Sequence, residues 1–175
     1  MRIQSVGPVN PEGLTCPDEI KHLWRVHGAG FIGEGFLRLA DPHALLPVLP
    51  SFVADPQDCV PIFTTALADV VVWRGGYFFN LSTRLGVAHS LSHSKPEYVL
   101  RFLEDPYLLD KDFRWHDFRP AAERLGVPDF TECFYYVPLL SQGGVESPEH
   151  LRRGGLIAHL EMAAGLQGRV TIGPA

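Results

Sequence analysis

Residues 61–91, PIFTTALADVVVWRGGYFFNLSTRLGVAHSL, decide the fold. Four runs, PIFTTAL, DVVVW, YFFNLST and GVAHSL, are rich in β-branched and aromatic residues, with turn signals at Arg74-Gly75-Gly76 and from Thr83 to Gly86. Such side chains suit a pleated, half-buried surface, and paired glycines supply the left-handed dihedrals a tight hairpin needs. The stretch predicts an antiparallel meander.

Helical texture flanks it. Upstream, Thr15 or Cys16 serves as N-cap, Pro17 fits the first helical position, and Ile20, Leu23, Trp24 and His27 share one face of a helix that stops at Gly28. GAGFIG (28–33) then reads as a loop, FLRL as a short strand, and Asp41-Pro42 as the start of a brief helix ended by Pro47 or Pro50. Residues 1–14 carry two prolines and two glycines without periodicity and read as irregular. Downstream, Ser94-Lys95-Pro96-Glu97 caps a helix that buries Tyr98, Val99, Phe102 and Leu103 and ends at Asp105-Pro106. A second helix, 115–125, closes on Leu125-Gly126-Val127-Pro128. ECFYYVPLL (132–140) is a strand-like run that meets a turn at Gly143-Gly144. A last helix is expected from Pro148, weakened at Gly154 and Gly155 by about 1 kcal/mol each relative to alanine. The class is α+β: a central antiparallel sheet flanked by N-terminal and C-terminal helices. Three parts are expected: an irregular lead-in (1–16), an α+β part (17–92), and a helical part (93–175) packed on the same core.

Composition narrows the function classes. A chain of 175 residues can bury roughly 70% of the surface its unfolded form exposes. The net charge of −5 comes from scattered acids, which disfavours a nucleic-acid binder with its basic stripe. Cys16, Cys59 and Cys133 have no CxxC spacing and suit reduced thiols. MRIQSVGPVNPEG lacks a signal-peptide core, and no apolar run approaches the ~20 residues of a membrane helix, so a soluble cytoplasmic protein is expected.

Candidate chemistry is sparse. Gly28, Gly30 and Gly33 have the GxGxxG spacing, but they follow a helix, whereas a dinucleotide fingerprint follows a strand and opens a helix. His89 and His93 lie four apart at the end of an expected strand without a third ligand at a recognisable spacing. Asp110, Asp112, His116 and Asp117 offer ligand atoms without the glycine and terminal Glu of a calcium loop. A GxSxG motif is absent, and Glu132, beside Cys133 and Tyr135, is a lone carboxylate. No catalytic, cofactor-binding or metal-binding residue is therefore assigned. The hairpin Trp73-Arg74-Gly75-Gly76-Tyr77 carries residue types that dominate binding hot spots, and covering the core at a sheet end explains it equally well.

A family likeness adds to this. PDEIKHLWRVHGAGFIGEGFLRLADP, PIFTTALADVVVWRGG, FLEDPYLLDKDF, RLGVPDFTECFYYVPLLSQGG and SPEHLRRGGLIAHLEMAAGLQG occur in the order found in the bacterial GAD-like/DUF1851 family, which includes type VI secretion immunity proteins of the Tdi1 kind. The chain resembles that family over most of its length beyond residue 17. Leu125, Gly126, Glu132, Phe134, Tyr135, Val137, Pro138, Leu140, Gly143 and Gly144 fit the family's run, although Tyr135-Tyr136 replaces its usual Gly-Phe. Thr65, Asp69 and Trp73 fit its TxFGD…W pattern, with Leu67-Ala68 in place of Phe-Gly.

The resemblance implies an antitoxin that binds a cognate type VI effector, a nuclease by expectation, and does no chemistry. On that reading Glu34, Asp69, Glu132 and Glu146 mimic phosphates towards a basic groove, Trp73, Tyr77, Tyr135 and Tyr136 supply anchors, and Arg74 and Gln142 complete the partner-binding set. No cofactor, direct nucleic-acid contact or membrane contact is implied. Two alternatives stand beside it: a small metal-dependent or carboxylate-based hydrolase, and a regulatory or scaffold module on the same fold.

Overall fold

The computed structural model describes residues 2–92, 96–102 and 104–173. Seven strands form one antiparallel sheet in strict chain order: β1 (Ile3–Gly7), β2 (Ala29–Ile32), β3 (Leu37–Leu39), β4 (Val60–Thr65), β5 (Val70–Arg74), β6 (Tyr77–Ser82) and β7 (Val87–Ser92). The last four are the expected meander. Arg74 pairs with Tyr77 across a two-residue turn in which Gly75 and Gly76 both have positive φ, 57° and 91°. The run Val70-Val71-Val72 is apolar without alternation because the sheet is covered on both faces. Phe63, Val71 and Phe78 face one core with Trp24, Phe118 and Phe134; Val70, Val72 and Leu81 face another with Phe52, Leu156 and Leu160.

Helix α1 (Asp18–His27) buries Ile20 and Trp24, and the Trp24 indole N–H donates to the Ala40 carbonyl at 2.8 Å. α2 (Pro42–Leu45) starts where the Asp41 carboxylate accepts the His43 N–H, and a further short helix, α3 (Leu49–Phe52), follows. Beyond the sheet come α4 (Pro96–Phe102), α5 (Pro106–Phe113), α6 (Trp115–Leu125), β8 (Glu132–Tyr136), β9 (Leu151–Gly155) and α7 (Leu156–Gln167). β8 and β9 form a separate two-stranded sheet, tied to the large one through the Phe134 N–H on the Ala66 carbonyl. None of the described helices is long and apolar enough to cross a membrane.

Three expectations need correction and a fourth needs extending. The lead-in is not irregular, since residues 3–7 form edge strand β1; Gln4, Ser5 and Val6 are exposed there, which removes the apolar alternation a strand normally shows. GAGFIG is not a loop but contains β2. Gly28 and Gly30 answer to close packing, because a Cβ on them would stand 2.0 Å from the Gly7 and 2.4 Å from the Gln4 carbonyl oxygen of β1. Asp105-Pro106 does more than follow the end of the helix before it. The Asp105 carboxylate accepts the Tyr107 N–H at 2.9 Å and Pro106 takes the first turn, so the pair opens α5. The last helix begins at Leu156, not Pro148: LRRGG is β9, paired antiparallel with β8. A Cβ on Gly154 would meet the Tyr135 ring at 3.0 Å, so this glycine gives cross-strand contact room instead of kinking a helix. The expected cap at Ser94-Lys95, the side chains of Tyr98, Phe102 and Leu103, and His93 lie outside what is described.

Candidate functional site

The β5–β6 hairpin holds three of the expected contact residues on a braced tip. Trp73 packs edge-on to Phe78 (4.9 Å between centroids) and Tyr77 lies against Phe79 (6.4 Å), on opposite faces of the sheet. Arg74 reaches back to the Asp55 carboxylate at 2.6 Å. All three remain partly exposed.

Asp69 and Tyr136 must be removed from the expected surface, because both are buried. The Thr65 hydroxyl donates to Asp69 Oδ2 (3.2 Å) and accepts the Leu67 and Asp69 N–H groups, so the Thr65–Asp69 pair closes the β4–β5 turn. Desolvation raises the Asp69 pKa against the opposing pull of Arg84, whose Nη1 stands 3.8 Å from Oδ1. The Tyr136 hydroxyl donates to Asp117 Oδ2 at 2.6 Å, and burial raises its pKa, with Asp117 adding to the rise. Asp69 organises the β4–β5 turn from inside, and Tyr136 ties β8 to the first turn of α6.

The remaining acids are engaged to different degrees. Glu132 accepts from Arg153 Nε (2.7 Å) and from the Asp129 N–H (2.9 Å); the Arg153 bond holds its pKa below the ordinary carboxylate value. Glu146 lies 3.4 Å from Arg114 and 3.9 Å from Arg84. Gln142 is exposed on a short 3₁₀ turn, Leu140–Gln142. That turn is closed by Gly143 at φ 82° and by Gly144, where a Cβ would fall 2.0 Å from the Pro138 carbonyl oxygen. Tyr135 is half-buried and stacks on His159 at 4.7 Å.

Arg84, Arg114, Asp117, Glu146 and Asp69 form a polar seam between the β6–β7 turn and the α5–α6 junction. It is an ion-pair network, with no nucleophile and base brought within bonding reach. Among the described residues no group of three or more His, Cys, Asp or Glu is arranged to hold a metal. His116 instead bridges Asp110, through Nδ1, and Asp117, through Nε2 at 3.2 Å, while His89 stands 4.0 Å from Asp112. Burial pushes the thiols of Cys16 and Cys59 up to about 11 and that of Cys133 up to about 12, which removes nucleophilic thiolate at neutral pH.

Sequence reasoning missed one surface. Between α5 and α6 lies an open groove of about 390 Å³ lined by Pro106, Tyr107, Asp110, Trp115, His116 and Arg119. Arg119 lies over the Trp115 ring at 5.3 Å and bonds Glu34 twice, at 2.8 and 3.1 Å, so Glu34 of the β2–β3 turn borders this groove. The available signal was Asp105-Pro106-Tyr107: once Asp-Pro is read as a helix start, Tyr107 falls on the face opposite the buried Leu109 and Phe113.

Comparison with known proteins bears on the same half of the chain. Residues 94–167 match the family model described as T6SS immunity protein Tdi1, C-terminal. The crystal structure of Atu4351 from Agrobacterium tumefaciens shares the fold, with a TM-score of 0.67 over 85% of this chain and 75% of that one, at 15% sequence identity. No curated protein matches.

Proposed function

We propose that this chain, whose residues 94–167 match the Tdi1 immunity family model, neutralises a cognate type VI secretion effector by stoichiometric binding, without chemistry of its own. The family match carries the reading. We further propose that the effector is a nuclease met in the cytoplasm. A nuclease groove is basic, and a protein of net charge −5 with Glu34 and Glu146 at its surface is electrostatically suited to approach one. Trp73, Arg74, Tyr77, Tyr135 and Gln142 offer partly exposed aromatic and polar contacts on braced elements, which lose little side-chain freedom on binding.

The test is association with, and protection against, the protein encoded beside this one. Co-purification in a fixed ratio, and rescue of cells expressing that neighbour, are expected. Association should slow as salt rises through the range where the Debye length falls from about 10 Å to 3 Å. Absence of both binding and rescue ends the proposal.

A further inference from the structure

Tyr107 is 71% exposed, more than any other large apolar or aromatic side chain among the described residues. Its backbone is nevertheless fixed, because its N–H is held by the Asp105 cap and α5 buries Leu109 and Phe113 on its other side. A flat aromatic on a rigid base, facing an open groove, is the kind of residue that anchors partners at low entropic cost. The opposite wall is Trp115.

The charges of the groove are not symmetrical. Arg119 is committed to Glu34 by a two-pronged bond and covers Trp115 from one side. The Asp110 carboxylate holds the His116 N–H (2.8 Å) and Nδ1 with Oδ1 alone, and Oδ2 makes no bond among the described residues. The groove therefore offers two aromatic surfaces and one open carboxylate oxygen, while its arginine is already paired. A phosphate or a carboxylate would meet Asp110 unfavourably. A guanidinium fits, since it stacks flat on an aromatic ring while its edge donates to a carboxylate; an ammonium does the second only as a point charge.

We propose that this groove seats an arginine side chain presented by the effector, stacked on Tyr107 and bonded to Asp110 Oδ2. The identity of the partner rests on the immunity reading; the preference for a guanidinium rests on the groove itself. Two measurements test it. Calorimetric titration with the protein encoded beside this one should show binding about tenfold or more weaker for Tyr107→Ala and clearly weaker for Asp110→Asn, which keeps the acceptor that holds His116. Tyr107→Phe should bind within about twofold of the unaltered protein, because stacking needs the ring and not the hydroxyl.

Titration with a capped tetra-arginine peptide, followed by the Trp115 indole signal, should saturate at about fivefold lower concentration than with tetra-lysine, and Tyr107→Ala should abolish the difference. Binding that survives Tyr107→Ala, or equal response to the two peptides, overturns the groove assignment. No binding of the neighbour by the unaltered protein overturns the effector reading, and this partner with it. A self-associated dimer that Tyr107→Ala dissolves would give the groove to a second copy, and would overturn the proposal too. Tyr107 is 71% exposed, so unchanged thermal unfolding of its variants separates these outcomes from misfolding.

Discussion

The seven-stranded sheet and the β8–β9 unit meet the same demand, a partner for every buried backbone group, by different means. In the sheet, neighbouring strands supply one another's donors and acceptors, and apolar side chains fill both faces. β8 and β9 pair only with each other, and in the loops around them guanidinium groups supply the donors. Arg38, fully buried on β3, donates to the carbonyls of Phe130, Glu132 and Pro128. Arg124 donates to Pro148 (2.7 Å) and Leu151 (2.9 Å), and Arg153 reaches the Leu125 carbonyl. Burial lowers the Arg38 pKa to about 10, which leaves it charged at neutral pH. Loops beside a short ladder can thus be tied as well as a large sheet, but their ties converge on a few side chains.

Arg38→Leu is the most direct way to break that comparison. Each buried acceptor left without a donor costs about 1–3 kcal/mol, so the loss of three should cost on the order of 5 kcal/mol in urea unfolding. A loss below about 1 kcal/mol would mean that the loop carbonyls are held by something else. Phe63→Ala in the sheet should cost about 3–5 kcal/mol by the cavity it leaves, a distributed loss with no single tie removed.

His159 sharpens the contrast through pH. It is buried against Tyr135, and burial lowers its pKa from 6.5 to about 4. The unfolded chain therefore takes up a proton below about pH 6.5 that the folded chain refuses until about pH 4. Stability present above pH 6.5 is lost across that window, by roughly 3 kcal/mol. Asp69 works in the opposite sense: its raised folded pKa means that the stability it lends at acid pH disappears as pH rises through that value. His159→Phe should flatten the acid-side decline, measured as unfolding free energy against pH, while leaving neutral-pH stability within about 1.5 kcal/mol. The smallest effect belongs to Glu34→Ala. Both partners of the Glu34–Arg119 pair are 59% exposed, so stability should change by less than about 1 kcal/mol in thermal unfolding.

The meander was legible because its signals are local: β-branched runs and a two-glycine turn. The edge strand β1 was not, since three of its five residues face solvent. Gly30 and Gly154 misled for a shared reason, as a glycine needed for close approach inside a strand reads like one needed for a turn. On the surface, Asp69 was chosen for its charge, yet the Thr65–Asp69 spacing that marks it is the spacing of a buried turn closure. Tyr107 is not legible in the sequence because exposure depends on which face of α5 meets the core, and Asp105-Pro106 reads as a helix end as readily as a helix start.

Strict chain order in the large sheet bears on how the polypeptide is made. Every strand pairs with the one synthesised just before it, so the ladder can zip in step with emergence from the ribosome, apart from the waits for α1 between β1 and β2 and for α2 and α3 between β3 and β4. Arg38 has no such luxury. Its acceptors lie 90 to 94 residues downstream, and a nascent chain must carry that cation unburied until they arrive. Docking of residues 128–132 is then a late event of biogenesis, and a ribosome stalled before them would hold a ladder whose two faces both lack side chains still to be made.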